Sequence, residues 1–255
     1  MPRDHVLSDL GFTVARSGPE ILAGTAAVVA HMHVPGTAVL RASVLANYAD
    51  TITGLLAVDV IGPRVPVTLQ LDLNLYAPPE GLTRVHATAR RVKVGKSVFV
   101  AAVDFSDQDG TPIAIATGQF MVAPDPEIRM PGGMNPLDVM SIEGGPLQIP
   151  LAERAGCTRE RPGVAALPLR SDGLNASGTL NGGLTALVVE EAVLSAMPAR
   201  TLSSMALLYL RPVRKGPAVA VAEIHRDVAE VTVRDEGRDA VAVYATTRVF
   251  PAGQG

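Results

Sequence analysis

The sequence predicts an α+β chain built twice over, each half a long helix packed against a curled antiparallel sheet. Three observations predict it. The order strand, long apolar helix, four β-type runs begins at Ile21 and recurs from Gly163. Between the two series, "APDPEIRMPGGMNPLDVMSIEGGPLQIP" breaks all periodicity and reads as a linker. Two local echoes also tie the halves together, "LNLYAPPEG" with "LLYLRPVRKG" and "AIATGQF" with "AVYATTRVF". The expected organisation is therefore a first domain over residues 1–125, a linker over 126–150 and a second domain over 151–255. A repeat of about 120 residues is longer than a solenoid unit and large enough to be a domain.

In the first half "ILAGTAAVVA" reads as a strand. The segment "GTAVLRASVLANYADTITGLLAVDVIG" is too long and too rich in Ala and Leu for a strand, and it stops at Gly62-Pro63 as a helix should. Four strands follow, with turns at Pro78-Pro79, Gly95-Lys96 and Asp109-Gly110. In "TRVHATARRVKV" the apolar face is Val85, Ala87 and Ala89, continued by Val92 and Val94 across a bulge expected at Arg90-Arg91. In the second half "GVAALPLR" is a strand and "TLNGGLTALVVEEAVLSAMP" a helix stopped by Pro198. The runs "TLSSMALLYLRP", "AVAVAEIHRDV", "AEVTVRD" and "DAVAVYATTRVFP" complete it.

Composition narrows the function classes. Of 255 residues 47% are apolar and 18% charged, enough to bury a sizeable core. A net charge of −3 with no Lys/Arg block points away from nucleic acid and anionic membrane. The single Cys157 excludes an intramolecular disulfide framework and a cysteine metal cluster. The N-terminus lacks the apolar core of a signal peptide, and runs such as "ILAGTAAVVA" are too short to span a bilayer, so a cytoplasmic protein is the expectation. "HMH" puts His31 and His33 on one strand face, half of a metal site, but no nearby acid or third histidine completes it and an edge-strand or loop role is favoured. No phosphate loop, Ser-His-Asp order or nucleophilic cysteine setting appears.

The second helix carries the motif of most chemical interest. Asn175 precedes Asn181-Gly182-Gly183, and Glu190 follows nine residues after Asn181. In the first half Asp50 sits in "NYADT", and nine residues before it stand Arg41-Ala42-Ser43 without the glycine pair. With the duplicated element order and the "KVGKS" hairpin, these residues resemble the hotdog fold and, more narrowly, the PaaI-like acyl-CoA thioesterases in a tandem double-hotdog form. In that family the Asn181 position is usually His. The resemblance implies hydrolysis of an acyl-CoA or related acyl thioester without metal or cofactor, and a homo-oligomer of the double unit. It also implies that Thr68 supports the catalytic acid or its water, with Leu202 as its counterpart, and that Arg90, Arg91, Lys93 and Lys96 around Gly95 meet the CoA phosphates.

Thioester hydrolysis needs donors for a developing oxyanion, and a base or nucleophile beside the carbonyl. Glycines at a helix start admit backbone N–H groups close to a carbonyl oxygen, where the helix dipole favours negative charge. Gly182 and Glu190 lie eight residues apart on one helix, about 12 Å at ~1.5 Å rise per residue, too far to serve one carbonyl. Donors and acid of one site must therefore come from different helices, and the antiparallel packing that the resemblance implies makes two composites. One joins Asp50 and Thr68 to Asn175, Gly182 and Gly183, with Asn181 alongside; the other joins Glu190 to Arg41-Ala42-Ser43. Asp50 acts as general base or nucleophile, and Glu190 is a second acid, a relic or a surface residue. Two other readings remain: a non-catalytic acyl-CoA binding or regulatory module, and a hotdog hydratase, which lacks its His–Asp pair here.

Overall fold

The computed structural model describes residues 5–127, 129–130, 145–175 and 177–251. Its strands are β1 (Thr13–Gly18), β2 (Ile21–Ala27), β3 (Pro66–Leu75), β4 (Arg84–Val94), β5 (Phe99–Ser106) and β6 (Pro112–Val122) in the first half. The second half has β7 (Thr158–Arg161), β8 (Val164–Leu167), β9 (Leu202–Tyr209), β10 (Ala218–His225), β11 (Val228–Asp235) and β12 (Ala240–Val249). The helices are α1 (Ala42–Ile61), the short α2 (Leu151–Ala155) and α3 (Gly182–Ala196). Each half is a hotdog: one long helix held in a curled antiparallel sheet. Most of the expected linker falls outside the described residues.

All twelve strands form one sheet in the order β1-β2-β4-β5-β6-β3-β9-β12-β11-β10-β8-β7. Read from its centre, the order of the second half mirrors that of the first. The halves join edge to edge where β3 and β9 pair antiparallel, from Gln70 against Leu208 to Asn74 against Ser204. That junction removes two edges that would otherwise stand open. Inside the sheet α1 and α3 pack on each other, and each also packs on its own half's strands. Both helices are apolar on nearly all sides because both are enclosed: Leu45, Tyr48, Ile52 and Leu56 of α1 and Leu187, Val188 and Val193 of α3 are fully buried. The helix α1 is long and apolar enough to cross a membrane, beyond what the shorter apolar runs suggested; here its apolar surface faces the sheet and α3.

Three local features depart from the sequence reading. The "GFTVARSG" segment and the "TRER" segment form β1 and β7, two edge strands that lack an alternating apolar face and so gave no periodic signal. The β4 irregularity falls between Arg91 and Lys93, one residue beyond the expected place, and Val92 and Val94 are exposed, so the apolar face ends at Ala89. His31 lies in a 3-10 turn, Ala30–Met32, and His33 in an isolated bridge with Leu40, so neither sits on a strand face.

One irregularity matters for function. In β3 the register against β6 slips between Thr68, opposite Phe120, and Gln70, opposite Gln119. Leu71, Leu73 and Leu75 face inward and are buried; strict alternation would send Thr68 outward with Gln70. The extra residue turns Thr68 back toward α1. The same slip recurs in β9 between Leu202 and Ser204, which sends Leu202 inward at the matching place.

Candidate active site

Antiparallel packing of α1 and α3 sets the middle of each helix beside the start of the other, giving two composites related by the pseudo-twofold. In the first, Thr68 Oγ1 donates to Asp50 Oδ1 at 2.9 Å. The Asp50 carboxylate lies against Gly182: a methyl group at Gly182 would stand 2.8 Å from Oδ2 and 3.3 Å from Tyr209 Oη. Tyr209 Oη donates to the Gly182 carbonyl at 3.0 Å, fixing the first peptide of α3. The Asn181 side chain caps the helix by accepting the Gly183 N–H at 2.8 Å. The Gly182 N–H has no acceptor among the described residues, so it is an open donor at the helix start on the residue that Asp50 packs against.

Burial raises the Asp50 carboxyl to about 6, against the opposing pull of the Thr68 hydrogen bond. A carboxylate in that range takes up protons near neutrality more readily than a surface aspartate. Tyr209 is raised well above its ordinary range by burial and then by the Asp50 charge, so it stays a neutral donor.

The second composite holds the same backbone positions with different chemistry. Glu190 has no solvent exposure. Its Oε1 accepts the Ala42 N–H at 2.9 Å, the first amide of α1 and the counterpart of Gly182 N–H. Its Oε2 accepts from Ser43 Oγ and, at 3.1 Å, from Arg41 Nη1. Glutamate is one methylene longer than aspartate and reaches the helix start that Asp50 leaves open. Arg41 also pairs with Glu191 at 2.6 Å, and Arg159 Nε donates to Glu191 at 2.6 Å. Burial pushes Glu191 up, but Arg41 and Arg159 outweigh it and hold the carboxyl below its ordinary range. Leu202, in the place of Thr68, offers no hydroxyl. This composite is a buried ion-pair cluster with its donor amide occupied by its own acid.

The other expected residues divide. Gly183 packs against Asn47, whose side chain would meet any Cβ there; its N–H is taken by the cap, so it serves helix packing. Asn47 is 5% exposed, on the packed side of α1. Asn175 is a loop residue, its Oδ1 accepting from Ser177 N–H, Thr179 N–H and Thr179 Oγ1. That oxygen organises the turn before α3, and no contact brings Asn175 to Asp50. Arg90 is paired with Asp104, and Arg91 with Glu20 and Asp59. Lys93 and Lys96 are exposed near the Gly95 turn. The register Thr68–Phe120–Phe99–Val94 puts that turn at the Asp50 end of the sheet, three strands away. Tyr209 was missed from the sequence; its only signal was its place in the "LLYLRP" echo. Among the described residues no group of three His, Cys, Asp or Glu side chains could hold a metal.

Residues 39–114, which include Asp50, Thr68 and Gly95, match the profile of the thioesterase superfamily. No curated protein matches the chain. Among solved structures, the 12:0-ACP thioesterase from Umbellularia californica superposes with a TM-score of 0.67 at 13% identity, covering 93% of this chain and 100% of that one. An acyl-ACP thioesterase from Bacteroides thetaiotaomicron gives 0.62 at 16% identity over 90% and 98%. A putative thioesterase II from Thermobifida fusca gives 0.56 at 15% identity over 98% and 99%. At these identities the likeness establishes the tandem hotdog fold over the whole length.

Proposed function

From a chain whose residues 39–114 match the profile of the thioesterase superfamily, we infer a thioester hydrolase with one working composite, acting on an acyl-CoA or related acyl thioester. The observation that carries this reading is the meeting of Asp50, Thr68 and the open Gly182 amide across two helices. In the proposed reaction the thioester carbonyl oxygen accepts from Gly182 N–H at the positive end of α3, where negative charge develops as the carbonyl becomes tetrahedral. Asp50, as carboxylate, takes the proton of a water that attacks the carbonyl carbon, and Thr68 holds the carboxylate in place. Collapse expels the thiolate, which Asp50 reprotonates. Tyr209 holds the Gly182 carbonyl and so steadies the start of α3. Glu190 and Arg41 serve the interface between the halves, and Asn175 shapes the loop that leads into α3.

Release of free thiol from a panel of acyl thioesters tests this. The expected result is turnover that Asp50→Asn reduces by at least about a hundredfold with the fold retained. Unchanged kcat in Asp50→Asn would overturn the assignment. Binding of CoA esters without hydrolysis of any would favour the non-catalytic binding module.

A further inference from the structure

The two halves differ in the loop that follows the central strand, and the difference tracks the difference between the composites. After β9 the chain reads Leu210-Arg211-Pro212-Val213-Arg214-Lys215; after β3 the matching positions read Tyr76-Ala77-Pro78-Pro79-Glu80-Gly81. Each loop is tied to the start of one helix by the same hydrogen bond. Leu180 N–H donates to Val213 O at 3.1 Å, two residues before α3 begins, and Leu40 N–H donates to Pro79 O at 2.9 Å, two residues before α1. The loop beside the open Gly182 amide therefore carries three cations. The loop beside the Ala42 amide, already occupied by Glu190, carries an acid.

Its backbone is also held in place. Buried Asp235 accepts the N–H groups of Arg214, Lys215 and Gly216 at 2.8, 3.2 and 2.7 Å, while Leu210 and Arg211 N–H both donate to Ala242 O. A hollow of about 520 Å³ opens between this loop and the β11–β12 turn, lined by Leu210, Arg211, Arg234, Asp239, Ala240 and Val241. Arg211, Pro212, Asp235, Arg238 and Ala240 are among the lining of a smaller one of about 160 Å³ beside it. Arg234 is paired with Asp239. Arg211, Arg214 and Lys215 are exposed and have no ion-pair partner among the described residues. By contrast, two of the four cations around the Gly95 hairpin are already paired with carboxylates.

Building on the thioesterase reading, we propose that the Arg211–Lys215 loop, with Arg238 across the hollow, binds the phosphate of a phosphopantetheine-borne thioester and leads its arm to Asp50. Tyr209, two residues before Arg211, bonds the Gly182 carbonyl and shares the space at Gly182 with Asp50, so the loop leaves the sheet beside the acid. Arg211 lies just past the end of β9, the strand next to β3, and Arg234 lies on β11, three strand spacings or ~14 Å from β3. An extended pantetheine arm, comparable to about four residues of chain at ~3.5 Å each, covers that range. Arginine at two of the three positions suits bidentate contact with phosphate oxygens.

The test compares one acyl group on 4′-phosphopantetheine and on pantetheine, in the wild type, in Arg211→Ala/Arg214→Ala/Lys215→Ala and in Lys93→Ala/Lys96→Ala. The wild type is expected to favour the phosphorylated ester by about tenfold to a hundredfold in kcat/KM, through KM. The loop variant brings that ratio close to one, and the hairpin variant keeps it. A ratio that survives in the loop variant, or collapses in the hairpin variant, overturns the proposal. Running acyl-CoA beside the same acyl group on a carrier protein separates the two sources of the phosphate. Both fall in the loop variant, and the larger fall identifies the one that docks. Calorimetric binding of CoA to the wild type and the loop variant separates the two ideas. Binding lost in the loop variant without hydrolysis of any ester keeps the phosphate site and removes the thioesterase reading. Hydrolysis with CoA binding unchanged in the loop variant does the reverse.

Discussion

The Asp50 carboxylate occupies the space in front of Gly182 where any other residue would place its Cβ, 2.8 Å from Oδ2. Glycine is therefore required by contact with the acid, although it weakens the helix start. Gly182→Ala sets these against each other. Alanine favours the helix by up to about 1 kcal/mol, yet its methyl must displace Asp50 or Tyr209. The expected outcome is a protein of unchanged or slightly raised thermal stability whose kcat falls about a hundredfold. Parallel melting curves and thiol-release kinetics check it; full activity in Gly182→Ala would remove the close approach from the mechanism.

Asp50 gives a pH prediction with a definite sign. Its carboxyl is raised to about 6, and in the proposed reaction the carboxylate is the working form, so kcat/KM should rise through pH 6 and level off above it. The stability consequence runs the other way. A raised folded value means that the folded protein holds its proton longer than the unfolded chain, which releases it near pH 4. Stability therefore falls as pH rises from about 4 to 6. Above that window Asp50→Asn should be more stable than the wild type, on the order of 1–2 kcal/mol after allowance for partial exposure. The gain should vanish below pH 4. Denaturant midpoints at pH 3.5 and 8 measure it.

The buried cluster of Arg41, Glu190, Glu191 and Arg159 predicts the opposite pairing of effects. Arg41 and Glu190 are 1% and 0% exposed as side chains, so removing one charge strands the other. Glu190→Gln should cost about 3 kcal/mol of stability while kcat at Asp50 remains close to wild type. Arg41→Ala, which leaves two buried acids, should cost more. Glu191 is held below its ordinary range, so its contribution is fully present above about pH 4.3 and is lost as pH falls further. Activity lost in Glu190→Gln beyond the loss of folded protein would restore Glu190 to the catalytic set.

How much of this was legible in the sequence depends on the kind of signal. The two long helices and ten of the twelve strands follow from periodicity and turn residues, and the pairing of Asp50 with Gly182 from the rise of a helix together with the antiparallel packing that the family resemblance implies. The fate of Glu190 did not follow. Its closure rests on one methylene of extra length and on Arg41 folding into the site, which spacing alone does not encode. Tyr209 escaped because its hydroxyl acts on a backbone carbonyl, a contact with no residue-type pattern. An Asn before a glycine pair reads both as a ligand for substrate and as a turn former, and the side-chain oxygen of Asn175 organises its own turn.

Thr68 offers the prediction that separates positioning from packing. A slip in β3 turns its hydroxyl onto Asp50 Oδ1, and that bond favours the charged acid. Thr68→Val keeps the shape and removes the donor. Asp50 then loses the one interaction that opposes its burial, so its carboxyl rises further. The acid limb of kcat/KM should move to higher pH by about half a unit to one unit, the equivalent of a net hydrogen bond of about 0.5–1.5 kcal/mol. Thr68→Ser, which retains the hydroxyl, should return the limb toward its wild-type position. A merely structural Thr68 would change stability and leave the limb where it was. That outcome would place the orientation of Asp50 with the helix packing alone.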